Sequence, residues 1–176
     1  MSSLASPERV WWKPLTWDEK LWVTMAVVFA LGLFAFMFIW MGVGKQNIPT
    51  ETYRVSKEQF SQASQRMVDR YKVREESGVP VVSPPPGSDV YLVARTFQWA
   101  PILQLKKGQT YRLHLSSMDF QHGFSVQPGN LNLMVIPGYD FVATITPDKA
   151  GTFTVVCNEF CGLGHQAMVG KIIVTE

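Results

Sequence analysis

Net charge is nearly absent from this chain. Sixteen Lys and Arg against fourteen Asp and Glu leave a formal net charge of +2 over 176 residues, so nothing suggests a basic surface for nucleic acid. From Asp89 onward the balance is complete: Arg95, Lys106, Lys107, Arg112, Lys149 and Lys171 offset Asp89, Asp119, Asp140, Asp148, Glu159 and Glu176. Cysteine is scarce too. Cys157 and Cys161 stand four apart, which allows one small disulfide loop, a metal site or a redox pair, and the count alone does not choose. A long helical period is also missing from the second half, and the overall length suits one domain plus attachments.

Apolar residues are present in ordinary amount but unevenly spread. From Leu21 to Gly44 there is no charged residue, and Thr24 is the only polar side chain. At about 1.5 Å per residue such a helix crosses a hydrocarbon core of about 30 Å. Trp17, Trp22 and Trp40 sit towards its ends, and Lys20 and Lys45 bracket it. For a cleaved signal peptide the block is too long, starts late, and lacks a small-residue cleavage site after it. Residues 1–20 therefore read as a tail and 21–44 as a transmembrane helix. Arg9, Lys13 and Lys20 before it match Lys45, Arg54 and Lys57 after it, so charge leaves the orientation undecided.

Residues 45–88 read as a connector. Ser56-Lys57-Glu58-Gln59 resembles a capping box, and Phe60, Ala63, Met67 and Tyr71 fall on one side of the helix that follows. That stripe suits a membrane surface, a partner or the protein's own domain. The run Val79-Pro80-Val81-Val82-Ser83-Pro84-Pro85-Pro86-Gly87-Ser88 forbids helix and predicts an extended, stiff spacer.

Residues 89–176 predict a mainly β domain. Short strand signals run Val90 to Phe97, Thr110 to Ser116, Gly123 to Val126, Leu131 to Ile136, Phe141 to Ile145, Gly151 to Val156 and Val169 to Thr175, separated by turn residues such as Pro128-Gly129-Asn130 and Pro137-Gly138. Such a series points to an antiparallel Greek-key sandwich or barrel. Within Thr110 to Ser116, alternation puts Tyr111, Leu113 and Leu115 inside and Arg112 and His114 outside, so His114 reads as a surface histidine.

The chemistry concentrates in Cys157-Asn158-Glu159-Phe160-Cys161-Gly162-Leu163-Gly164-His165-Gln166-Ala167-Met168. Two thiolates, an imidazole and a thioether suit a soft ion, copper above all. His122, between two strands, can join them if the loops of one sandwich end cluster. A disulfide leaves the His165 and Met168 spacing without a reason. Zinc has no use for Met168, and a mononuclear copper centre leaves one cysteine over. A binuclear copper centre uses every donor: bridging thiolates, one histidine per ion, the methionine and a backbone carbonyl. It is coordinatively full, which suits electron transfer rather than substrate binding.

Cys157-x3-Cys161-x3-His165-x2-Met168, with the upstream Asp119-Phe120-Gln121-His122-Gly123-Phe124, resembles the dicopper motif of subunit II of haem–copper oxidases. The single anchor helix and Cys-Gly-Leu-Gly-His-Gln look closer to the B-type enzymes. The resemblance implies a cupredoxin-like sandwich on one N-terminal transmembrane helix. It also implies that His122, Cys157, Cys161 and Met168 bind one copper, and Cys157, Cys161, His165 and the Glu159 carbonyl the other. In the common type a glutamate at the place of Glu159 also offers its carboxylate to a magnesium ion, whereas B-type relatives tend to have glutamine there, so Glu159 is either a magnesium ligand or a solvated or hydrogen-bonded acid. Arg95-Thr96-Phe97-Gln98-Trp99-Ala100-Pro101 resembles the aromatic segment that receives electrons, making Phe97 and Trp99 candidates for that surface. The implied function is the electron-input subunit of a membrane cytochrome c oxidase, with its copper domain outside the cytoplasm. It would take electrons from a c-type cytochrome or similar carrier and pass them to haem in a large subunit I for oxygen reduction. A nitric oxide reductase of the same superfamily is the alternative; a tethered copper-delivery protein is a third reading.

Overall fold

The structure, a computed structural model, describes residues 14–44 and 49–176. Of the tail and bracket charges, Arg9, Lys13 and Lys45 lie outside the described residues. The chain divides into two compact units, residues 1–44 and 45–176.

In the first unit a single helix, α1, runs Trp17–Val43. It starts four residues before the apolar block because Thr16 caps it: the Thr16 hydroxyl accepts from Glu19 N–H, and the Glu19 carboxylate accepts from Thr16 N–H at 2.7 Å. Lys20 is thus inside the helix rather than beside it. Thr24 donates its hydroxyl to Lys20 O at 2.7 Å, so its one polar group is satisfied within the helix and not presented to lipid. All described side chains of α1 face outward, and its length and composition suit a membrane crossing.

The second unit is a two-sheet sandwich. Its elements are β1 (Glu51–Arg54), α2 (Lys57–Tyr71), β2 (Lys72–Glu76), β3 (Val79–Val82), β4 (Asp89–Arg95), β5 (Gln98–Ala100), β6 (Ile102–Lys106), β7 (Tyr111–Ser117), β8 (His122–Val126), β9 (Leu131–Val135), β10 (Tyr139–Ile145), β11 (Gly151–Cys157) and β12 (Val169–Thr175). One sheet has the order β1-β10-β7-β4-β5, the other β2-β3-β6-β12-β11-β8-β9. The expected all-antiparallel pairing is not what forms. β4 and β7, β3 and β6, and β6 and β12 run parallel. The chain leaves the first sheet after β5, lays β6 in the other, and returns at β7, so β7 re-enters beside β4 in the same direction.

The described part of the expected connector, residues 49–88, is built into the sandwich instead of leading to it. β1 pairs with β10, and β3 lies between β2 and β6 with Val81 and Val82 fully buried. The prolines do exclude helix, but the extended chain they favour is used as a strand. The α2 stripe packs on its own domain: Phe60 meets the Tyr91 ring edge-on at 5.5 Å, and Met67 Sδ accepts from Tyr91 N–H at 3.3 Å. Ser64, on the same side, is also buried.

Tyr111, Leu113 and Leu115 of β7 fill the space between the sheets together with Leu103, Leu105, Phe124 and Val155. His114 does point away from that core, but it is not on the surface; it is only 6% exposed. Tyr91 stacks on it at 4.6 Å, Asp140 Oδ2 lies 2.7 Å from its Nδ1, and Asp89 Oδ1 lies 3.3 Å from its Nε2. Burial disfavours the imidazolium, yet the Asp140 and Asp89 carboxylates outweigh it and raise the His114 pKa.

Candidate metal centre

Sheet order brings the donors to one end. β11 lies between β12 and β8 and is antiparallel to both, so the end of β11, at Cys157, meets the starts of β8 and β12. His122 opens β8, and Met168 immediately precedes β12. The loop between is closed at its base by Cys157 N–H donating to Met168 O at 3.2 Å. It is tightened by a 3-10 turn over His165–Ala167, where His165 N–H donates to Gly162 O and Ala167 N–H to Gly164 O, each at 3.0 Å.

The loop also lies on β8. Asn158 N–H donates to Gly123 O at 3.2 Å, and Asn158 Nδ2 to Asn132 Oδ1 at 2.8 Å. A Cβ on Gly123 would stand 1.9 Å from Asn158 Oδ1 and 2.7 Å from Glu159 N. The residue after His122 has to be glycine for the loop to come this close.

The donor atoms form a chain. His122 Nδ1 is 3.9 Å from Cys157 Sγ, which is 3.7 Å from Cys161 Sγ, which is 3.7 Å from His165 Nδ1. Met168 Sδ lies 3.7 Å from Cys161 Sγ, and Glu159 O lies 3.3 Å from Cys157 Sγ. The cysteines are free; their sulfurs are well beyond the bonded length of about 2.05 Å. Donors around one tetrahedral ion, bound at about 2.0–2.3 Å, stand about 3.3–3.8 Å apart; the spacings here fall in that range except His122 to Cys157, which is slightly longer at 3.9 Å. His122, Cys157 and Cys161 are buried and have ligand atoms within 4.8 Å of one another; Met168 is buried too. A soft donor set, closely spaced and shielded from water, fits copper.

Asp119 is a residue that the sequence reading did not assign. Its Oδ1 lies 2.8 Å from His122 Nε2. This hydrogen bond puts the ring proton on Nε2 and leaves Nδ1 free towards the sulfurs, as outer carboxylates do for metal-binding histidines. Burial alone would raise the Asp119 pKa, but hydrogen bonds from His122, Thr96 and Phe120 N–H hold it far below the usual carboxylate range. The signal for it was an acid three residues before a candidate ligand in a turn. Cys161 shows the opposite effect: burial and the adjacent Cys157 push its thiol up to about 11. Metal binding therefore has to displace protons.

Phe97 and Trp99 part company. Phe97 is 38% exposed, with its ring against Gly162 and Gly164 of the ligand loop. Trp99 is 3% exposed and does not belong to any surface. Paired with Ala94 of β4, it turns inward against His122 and Phe124, with ring centroids at 6.1 and 5.5 Å. The Glu159 side chain is half-buried, and among the described residues the one group of three or more acid, histidine or cysteine ligands is His122, Cys157 and Cys161. Among the described residues no carboxylate cluster forms around Glu159. The ligand-bearing loops expose Phe120, Phe160 and Leu163.

No family model matches the chain. It is 28% identical to cytochrome c oxidase subunit 2 of Thermus thermophilus over 165 residues, spanning 90% of this chain and 92% of the relative. Among solved structures, a chain of a haem–copper terminal oxidase dimer superposes with a TM-score of 0.57 and 25% identity, covering 90% of this chain and 99% of that one. A rusticyanin shares the fold, with a TM-score of 0.50 and 18% identity over 73% of this chain and all of that one. The sandwich is cupredoxin-like, and the likeness to the oxidase chains covers nine-tenths of this chain. The chain is homologous to cytochrome c oxidase subunit 2 and structurally similar to a chain of a haem–copper oxidase, and its ligand loop stands on a cupredoxin-like domain.

Proposed function

We propose that this chain is the electron-input subunit of a membrane terminal oxidase and holds two copper ions. His122, Cys157, Cys161 and Met168 would serve one ion; Cys157, Cys161, His165 and the Glu159 carbonyl the other. The observation that carries this is the sulfur pair at 3.7 Å with a histidine Nδ1 beyond each sulfur. When bound, the copper pair supplies a one-electron couple shared over two metals. The protein's part is to keep the donors still and dry. Paired strands hold His122 and Cys157, the closed loop holds Cys161 and His165, and Asp119 fixes the His122 tautomer.

Electrons come from a c-type cytochrome or similar carrier and go to haem in a large partner subunit, where oxygen is reduced. The copper domain faces the extracytoplasmic side. The charge balance from Asp89 onward and the exposed Phe120, Phe160 and Leu163 favour a donor surface that works by apolar contact, with little charge steering. Magnesium at the Glu159 carboxylate requires further ligands from the partner subunit. The full-length chain, loaded with copper in detergent, should hold two coppers and give a hyperfine pattern of one electron shared by two copper nuclei. One copper per chain with a single-nucleus pattern overturns the reading. Oxygen consumption by the purified complex with reduced cytochrome c then separates an oxidase from a nitric oxide reductase.

A further inference from the structure

The turn from β4 to β5 donates no metal ligand, yet it reaches the ligand set along three separate lines. Thr96 donates both its backbone N–H and its hydroxyl to the Asp119 carboxylate, which receives His122 Nε2. Phe97 lies against the ligand loop: a Cβ on Gly164 would come within 2.7 Å of its ring, and one on Gly162 within 3.4 Å. Trp99 packs edge-on to His122, and a Cβ on Gly170, two residues after Met168, would stand 2.6 Å from the Trp99 Cβ. Two further features set the turn apart. Phe97 adopts φ +60°, a left-handed conformation that a non-glycine residue keeps only where its surroundings over-determine it. The Trp99 Nε1–H is buried with no hydrogen-bond partner among the described residues, so ring packing rather than hydrogen bonding holds the indole.

We propose that this turn is the clamp of the metal centre. Thr96, through Asp119, and Trp99 together set the angle of the His122 ring. Phe97 sets the arc from Cys161 to His165. The distance between the two histidine ends is thereby fixed by a segment that contributes no donor, and Thr96, Phe97 and Trp99 are positioning residues. The inference rests on the copper reading above.

The test uses the full-length chain in detergent, loaded with copper, as wild type, Gly164→Ala, Phe97→Ala, the Phe97→Ala/Gly164→Ala double variant and Trp99→Phe. The readouts are copper per chain, the EPR spectrum, and the rate at which a copper(I) chelator strips the reduced site. Gly164 has φ −99°, which alanine adopts freely, so Gly164→Ala reports on the ring contact. We expect Gly164→Ala to alter the hyperfine pattern and weaken copper retention by about 10–100-fold, as loss of outer-sphere support does. The double variant should then match Phe97→Ala alone, because the ring that the new methyl strikes is gone. Trp99→Phe should shift the spectrum at unchanged copper content. Should Phe97→Ala not fold, Phe97→Leu with Gly164→Ala carries the same comparison. A Gly164→Ala chain with wild-type spectrum and retention, or effects that add in the double variant, overturns the clamp. A wild-type chain that holds one copper overturns the copper reading instead.

Discussion

Gly123→Ala is a small change with a large expected effect. The new methyl would lie 1.9 Å from Asn158 Oδ1, 2.7 Å from Glu159 N and 2.9 Å from Glu159 Cγ. The first and third contacts can be relieved by rotating side chains, at the loss of the Asn158 to Asn132 hydrogen bond at 2.8 Å, worth about 0.5–1.5 kcal/mol. The second cannot. Glu159 N is backbone, and reaching an ordinary contact of about 3.4 Å moves it by about 0.7 Å, an overpacking strain of about 1–3 kcal/mol. Together the substitution should cost about 1.5–4.5 kcal/mol in urea unfolding of the copper-free chain. The displaced atoms adjoin the Glu159 carbonyl and the Cys157–Cys161 span, so copper retention should fall by about 10–100-fold as well. Unchanged stability and unchanged retention in Gly123→Ala would refute the claim that the ligand loop rests on β8 at this residue.

Other expectations follow from the same geometry. The raised His114 pKa means that the folded state favours the imidazolium. Stability from the Asp140 and Asp89 pairing is therefore full below the unfolded value of about 6.5 and drains away as pH rises through the folded value. His114→Gln should flatten that slope in unfolding midpoints measured from mildly acidic to alkaline pH; a slope equal to wild type would exclude His114 as its source. Met67→Ala should destabilise the chain by about 2–5 kcal/mol, seen in thermal or urea unfolding, whereas a free connector helix would register nothing. Asp119→Asn should leave the fold intact but lower copper affinity by about 10–100-fold in a chelator competition. Phe160→Ser with Leu163→Ser should slow electron uptake from a c-type cytochrome at every ionic strength, and a steep fall of wild-type turnover with added salt would contradict apolar docking.

What could be read from the sequence was what is local. The ligand loop packs four donor side chains into twelve residues, and their types name the metal before any fold is known. α1 needs only its own composition. His122 could be placed by assuming that loops cluster at one end of a sandwich, but other residues whose fate depends on distant partners could not. Alternation gave the correct face for His114, but that face is roofed by Tyr91, which Phe60 of α2 in turn supports. Val79–Val82 forms a strand because Ile102 and Leu103 lie beside Val81 and Val82, and a single proline hid it. Trp99 follows the same rule: an aromatic residue near a loop suits either side of a sheet until the Ala94 pairing turns it inward.

The backbone bond from Cys157 N–H to Met168 O, continued by the pairing of Val156 with Val169, has a consequence for how such proteins diverge. The chain departs from one strand and returns on its immediate neighbour, so the segment between is a self-closed cassette. Residues can be inserted, deleted or exchanged there without shifting the register of either strand. One sandwich of this kind can therefore vary its ligand loop within a dozen codons, provided the few residues outside that meet it, such as Gly123 and Phe97, still fit.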